Sequence, residues 1–147
     1  MRILASVCAA ATLIVAENKG LQLKDLPAVV QKTVQANLMG GVIRNIGKEK
    51  EDGFEQYEIE SLRNGKERDY NIDAKGNLLL VEEATTMDSI PAAAKASILK
   101  KIADGKLVTV ETFTKTGLPT MYEASYRDNK GKKHEMLVKA DGVETKE

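Results

Sequence analysis

The chain has 147 residues, 22 Lys and Arg against 22 Asp and Glu, 42% hydrophobic residues, one Cys and one His. That length suits a single domain, and the composition reads as soluble and globular rather than disordered or membrane-spanning. Charge neutrality argues against a nucleic-acid partner, and one Cys with one His leaves no set for a zinc site, a thiol catalyst or a disulfide framework.

The N-terminus reads as an export signal. Met1-Arg2 is a basic start, Ile3 to Val15 is an apolar run, and Ala16-Glu17-Asn18-Lys19 returns to polarity. The run falls short of the about 20 residues that span a bilayer, so it resembles the hydrophobic region of a secretory signal. Cleavage between Ala16 and Glu17 is expected, giving a signal at 1–16 and a mature chain without a transmembrane segment. The alternatives are a buried N-terminal helix, or lipidation at Cys8. Val7 is bulky where a lipoprotein signal wants a small residue, which disfavours the second.

Beyond the signal the chain reads as written twice. Leu26-Pro27-Ala28 returns as Ile90-Pro91-Ala92, 64 residues later, and Gly41 and Gly53 return as Gly105 and Gly117. Tyr57-Glu58 returns as Tyr122-Glu123, and Ala74-Lys75-Gly76 as Ala140-Asp141-Gly142. This predicts two repeats, 17–85 and 86–147, forming one combined domain over 22–147. In each, Asp25 or Ser89 is expected to cap a helix that has Pro27 or Pro91 in its first turn. The apolar stripes Leu26, Val30, Val34, Leu38 and Ile90, Ala94, Ile98, Ile102 have helical spacing. Gly40-Gly41 and Asp104-Gly105 stop the two helices.

Strands follow. Val42–Lys48 and Leu107–Phe113 are rich in β-branched and apolar residues, and Tyr57–Leu62 and Arg68–Asp73 flank Asn64-Gly65, a strong hairpin signal. A two-residue turn there sets Arg63 against Lys66, Ile59 against Tyr70 and Tyr57 against Ile72, with all four of the apolar residues on one face. Leu78–Val81 is the next strand, and Tyr122, Ala124 and Tyr126 face Met136 and Val138 in the second half. The fold class is therefore α+β: two tandem repeats, each one helix followed by about four antiparallel strands, with both helices on one face of the sheet.

These residues resemble the PepSY-like family of exported bacterial proteins, also described as β-lactamase-inhibitor-like. The resemblance rests on Leu26-Pro27-Ala28-Val29-Val30, Tyr57-Glu58-Ile59 and Asp73-Ala74-Lys75-Gly76-Asn77. In the second half it rests on Ile90-Pro91-Ala92-Ala93-Ala94, Tyr122-Glu123-Ala124 and Ala140-Asp141-Gly142. It implies a fold similar to the β-lactamase inhibitory protein, and a binding or inhibitory role without catalytic residues.

Chemistry in the sequence is sparse. There is no phosphate-binding Gly-rich loop and no nucleophile elbow. His134 stands beside Lys132 and Lys133 with no nucleophile suggested, and Asp73–Asn77 lacks calcium-loop spacing. One feature stands out: the register that buries Tyr57 and Ile59 sets Glu60 across from Asp69 on the other face, with Glu58 across from Asn71 and Asp73 at the end. Like charges facing across strands repel, and the second copy replaces this pair with Ser125 and Glu135. The expectation is a non-enzymatic exported binding module, with no cofactor, meeting another exported or envelope protein through its open sheet face, as an inhibitor in the sharpest form. The alternative is a small-ligand or cation binder using the acidic face of the first repeat (Glu58, Glu60, Asp69, Asn71, Asp73). A solvated surface is the bland counterpart to both.

Overall fold

Proline sets where both helices begin. Pro27 (φ −54°) and Pro91 (φ −55°) stand at the N-caps, and α1 (Ala28–Leu38) and α2 (Ala92–Ile102) start one residue later. The expected caps do not act: no side chain closes either N-terminus. Asp25 and Ser89 lie two residues before the cap position, whereas a side chain reaches the first free amides from the cap itself. Asp25 instead accepts the Gln22 N–H at 2.9 Å across a 3-10 turn at Leu23–Asp25, and Ser89 Oγ lies 2.8 Å from Thr86 Oγ1. The computed structural model describes residues 20–51 and 53–146, so the expected signal, Cys8 and the Ala16–Glu17 cleavage point lie outside the described residues.

Among the described residues, eight strands form one antiparallel sheet whose order follows the chain. They are β1 (Val42–Glu51), β2 (Phe54–Arg63), β3 (Lys66–Asp73), β4 (Leu78–Ala84), β5 (Lys106–Lys115), β6 (Met121–Arg127), β7 (Lys133–Lys139) and β8 (Glu144–Thr145). Between β2 and β3, Asn64 (φ 53°) and Gly65 (φ 76°) supply the two positive φ angles of a type I′ turn. The expected register follows: Arg63 pairs with Lys66, Ile59 with Tyr70 and Tyr57 with Ile72.

The apolar stripes are buried in two separate clusters, except Leu38, which is only partly buried at the end of α1 and joins neither. Leu26, Val30 and Val34 pack with Ile46, Tyr57, Ile59, Tyr70 and Ile72. Ile90, Ala94, Ile98 and Ile102 pack with Val110, Ala124, Tyr126, Met136 and Val138. Tyr70 pairs with Val81, Val81 with Thr114, and Val110 with Ala124, so both clusters lie on the same face of the sheet. Each fully buried Ile or Val contributes on the order of 2 kcal/mol by apolar area alone.

Backbone contacts bind each helix to its strands. A Cβ at Gly41 would sit 2.5 Å from the Leu62 carbonyl oxygen, and one at Gly105 2.4 Å from that of Arg127. No side chain fits there, which lets the helix end rest directly on the last residues of a strand. Farther up, Thr33 Oγ1 donates to the Gly76 carbonyl at 2.6 Å, and Ser97 Oγ to the Gly142 carbonyl at 2.6 Å.

Candidate functional site

The strand alternation that feeds the cores sends the intervening side chains to a face over which, among the described residues, no helix lies. Glu58 and Glu60 of β2 and Asp69 and Asn71 of β3 meet there, as expected. Glu58 pairs with Asn71, while regular pairing lapses between the Ile59–Tyr70 and Leu62–Glu67 pairs, where Glu60 stands level with Asp69. In that gap Asp69 Oδ1 accepts the Ser61 N–H at 3.0 Å, and the Ser61 hydroxyl donates to the Arg68 carbonyl. Glu60 accepts Asn45 Nδ2 at 2.9 Å. Asn71 Nδ2 (3.3 Å) and Gln56 Nε2 (2.6 Å) both donate to Glu49.

Asp73, also of the expected set, is placed differently from the others. It ends β3 on the same face, but its carboxylate turns back into its own loop. It accepts the N–H groups of Lys75 (2.9 Å) and Asn77 (2.8 Å) and the Asn77 side chain (2.8 Å). Desolvation works against its ionisation, yet these bonds from Asn77 and Lys75 hold its pKa below the ordinary value. An Asp at the head of a tight turn binds its own backbone, and Asp73 holds its turn in this way.

The other acids are crowded. Burial pushes the Glu58 carboxyl up, and the charges of Glu49, Glu60 and Asp69 add to it. Asp69 is also raised, first by burial; the Ser61 N–H and Arg44 oppose this, while Glu60 and Glu67 reinforce it. Arg44 pairs with Glu67 at 3.0 Å at the margin of this face, where both side chains are half-exposed.

The acidic surface extends further than the sequence suggests. Glu82 of β4, Glu111 of β5 and Glu123 of β6 also point to the open face, each bringing a carboxylate oxygen within 4.8 Å of the others. Glu111 is raised by burial, then by the charges of Asp69 and Glu67, with Lys133 opposing and Glu135 adding. This triad straddles the β4–β5 seam. Those strands are joined through α2 rather than by a hairpin, so no turn reveals that Glu82 pairs with Phe113 and Ala84 with Glu111. The signal that was available is the alternation itself, in Leu80-Val81-Glu82 and Val110-Glu111-Thr112. Phe113 and Leu137 share this face and are 2% and 5% exposed, an apolar floor beside the acids. Ser125 pairs with Glu135, which Lys133 neutralises at 2.9 Å, so the far end of the face lacks the crowding seen around Asp69.

On the helix side, His134 stacks on Tyr126 with ring centres 5.3 Å apart, and its Nε2 lies 2.8 Å from Asp128 Oδ2. Asp128 also accepts the N–H groups of Lys130 and Lys132, so the pair anchors the β6–β7 turn. Its carboxyl is held below the ordinary value, chiefly by the His134 hydrogen bond. Among the described residues no helix is long and apolar enough to cross a membrane.

No protein-family model and no curated protein sequence matches the chain. Solved structures do. A candidate periplasmic protein from Bacteroides eggerthii superposes with a TM-score of 0.68 at 15% identity, covering 82% of this chain and 86% of its own. A DUF2874 family protein from Bacteroides uniformis gives 0.67 at 16%, covering 82% and 86%. A BLIP-like protein from Bacteroides fragilis gives 0.62 at 16%, covering 82% and 84%. The chain therefore has the fold of BLIP-like proteins: one open antiparallel sheet with two helices on one face.

Proposed function

We propose that the chain is an exported binding module whose open sheet face receives a basic, extended segment of another exported or envelope protein. One observation carries this: Glu58, Asp69 and Glu111 crowd with neighbouring acids on a face that no helix of the described residues covers, where burial first, and then nearby carboxylates, hold each above its ordinary pKa. A fold retains local repulsion at a cost, and a cationic partner relieves it on binding. Phe113 and Leu137, buried beside the acids, deepen the desolvation of that face. The fold shared with a BLIP-like protein and the likeness to a candidate periplasmic one support export and binding. Inhibition is the sharper form of the same reading. Recognition here rests chiefly on charge: Trp is absent, the four Tyr belong to the helix face, and Phe54 at the end of β2 is the exposed aromatic of the described residues.

The repeat layout, 17–85 and 86–147 after a signal at 1–16, belongs to the same proposal. It is supported by the recurrence of the helix hydroxyl on a turn-glycine carbonyl and of the glycine under each helix end. Intact mass of the exported product tests the signal, with a first residue of Glu17 expected and a retained Met1 against it.

Glu60→Lys tests the face. It removes the Asn45 hydrogen bond but replaces repulsion of Asp69 by attraction, so the melting temperature is expected to stay level or rise slightly. Capture of the envelope partner by the full chain is expected to weaken, and wild-type capture to fall with salt. Unchanged capture by Glu60→Lys returns Glu58, Glu60 and Asp69 to solvated surface. The cation reading gains one specific observation, the Glu82–Glu111–Glu123 triad. A melting temperature that rises with added divalent cation in the wild type, but not in Glu111→Gln, favours it over a protein partner.

A further inference from the structure

The end of α1 lies against a buried cation that lacks acceptors. Arg68 of β3 points to the helix face, where its side chain is only 9% exposed and its guanidinium lies over the Tyr70 ring, 5.8 Å from the centroid. Its Nε and Nη1 have no hydrogen-bond partner among the described residues. The Glu83 carboxylate stops 3.6 Å from Nε, an ion pair without a hydrogen bond. Nη2 faces the sulfur of Met39 at 3.9 Å. A thioether is a weak acceptor, poorly matched to an ionised donor.

Met39 is the residue that ends α1, with φ 50°, and it is 54% exposed. Met87 and Met121 are partly buried and Met136 is buried, so Met39 is the exposed methionine of the described residues. The end of α2 is built differently. There Ala103 holds the corresponding C-cap position with φ 47° but ψ −113°, against ψ 38° at Met39, and the nearby His134 has Asp128 as its partner at 2.8 Å.

We propose that Met39 is a site of oxidation by hydroperoxides, and that its sulfoxide fastens the end of α1 to Arg68. In the step, a sulfur lone pair attacks one oxygen of hydrogen peroxide. The S–O bond forms, the O–O bond breaks, and the departing hydroxide takes the proton of the transferred oxygen and leaves as water. Sulfur is oxidised by two electrons and the peroxide is reduced by two. Sulfoxidation elsewhere damages packing by making an apolar side chain polar. Here the sulfur already faces a guanidinium nitrogen at 3.9 Å, so an oxygen added on the side of that nitrogen comes within its hydrogen-bond reach. It replaces a weak acceptor with a strong, charge-assisted one.

The test is dilute hydrogen peroxide on the full chain, followed by peptide mass mapping and thermal melts. Met39 is expected to gain one oxygen before Met87, Met121 and Met136. The melting temperature of the singly oxidised protein is expected to rise by about 2–4 °C. Met39→Leu, which cannot be oxidised at this position, is expected to lose that rise. Met39→Gln, which carries a permanent carbonyl acceptor, is expected to reproduce it without oxidant. A lower melting temperature on Met39 oxidation, the same rise in Met39→Leu, or earlier oxidation of another methionine overturns the proposal.

Discussion

Gly40 and Gly41 stand side by side after α1, yet the structure requires glycine at each for a different reason, and substitution separates the two. Gly40 has φ +82° with nothing within 4 Å of an added Cβ, so Ala there suffers only the left-handed backbone penalty, about 1–2 kcal/mol. Gly41 lies outside that backbone region, but a Cβ would meet the Leu62 carbonyl oxygen at 2.5 Å and the Leu38 oxygen at 3.0 Å. Both are backbone atoms that cannot rotate away, so the helix end must lift from β2 and strain the Gly41 N–H to Leu38 bond, now 2.7 Å. Overpacking of this kind costs about 2–3 kcal/mol. At about 3–5 °C per kcal/mol for a domain of this size, Gly41→Ala should melt about 6–15 °C below wild type. Asn discriminates further. It tolerates the left-handed region, so Gly40→Asn should be milder than Gly40→Ala, whereas Gly41→Asn should be at least as damaging as Gly41→Ala. Thermal and urea melts of the four variants decide it. A Gly41→Ala protein as stable as Gly40→Ala, or an Asn that rescues position 41, refutes the close-approach argument.

Acid should first stabilise this protein. Glu58, Asp69 and Glu111 have raised folded-state pKa values, so the native chain binds their protons more readily than the unfolded one, and stability increases as pH falls from neutral toward the ordinary carboxylate range. Asp73, Asp88 and Asp128 are lowered, so their contribution persists above that range and is lost as pH falls below it. The melting temperature should therefore pass through a maximum between neutral pH and the ordinary carboxylate range, and a steady decline on acidification from neutral would contradict the sign. Asp128→Ala removes the acceptor of two turn amides and of His134. It should lower the melting temperature and speed amide exchange at Lys130 and Lys132, and unchanged exchange would show that the turn holds without it.

The hairpin register was legible because Asn64-Gly65 fixes a two-residue turn by backbone geometry alone, and with it the faces of Glu58, Glu60, Asp69 and Asn71. The helix stripes were legible because Val30, Val34, Ala94 and Ile98 repeat at helical spacing and are fully buried. The helix caps were not, because the Pro at each N-cap pushes Asp25 and Ser89 out of reach of the free amides. Nor were the bulges at Ile43/Asn45, Asn71/Ile72 and Leu107/Thr109, which obey no local residue pattern. The largest gap was the β4–β5 seam. A register between strands separated by a helix is set by how two cores dock, which is a tertiary matter, so the Glu82–Glu111–Glu123 triad stayed hidden in plain alternation.

The strand order has a consequence for how the chain folds. Every strand lies beside its predecessor in sequence, and only the β4–β5 pairing must wait for a loop as long as α2 to close. Short loops lose little entropy on closing, and low contact order makes for rapid folding even in a sheet. Each helix also finds its apolar partners within the four strands that follow it. Two local nuclei can thus form independently as synthesis proceeds, and the seam joins last. The acids gathered across it are brought together only when that pairing closes, so the candidate binding face depends on the long-loop pairing that joins the two sets of strands.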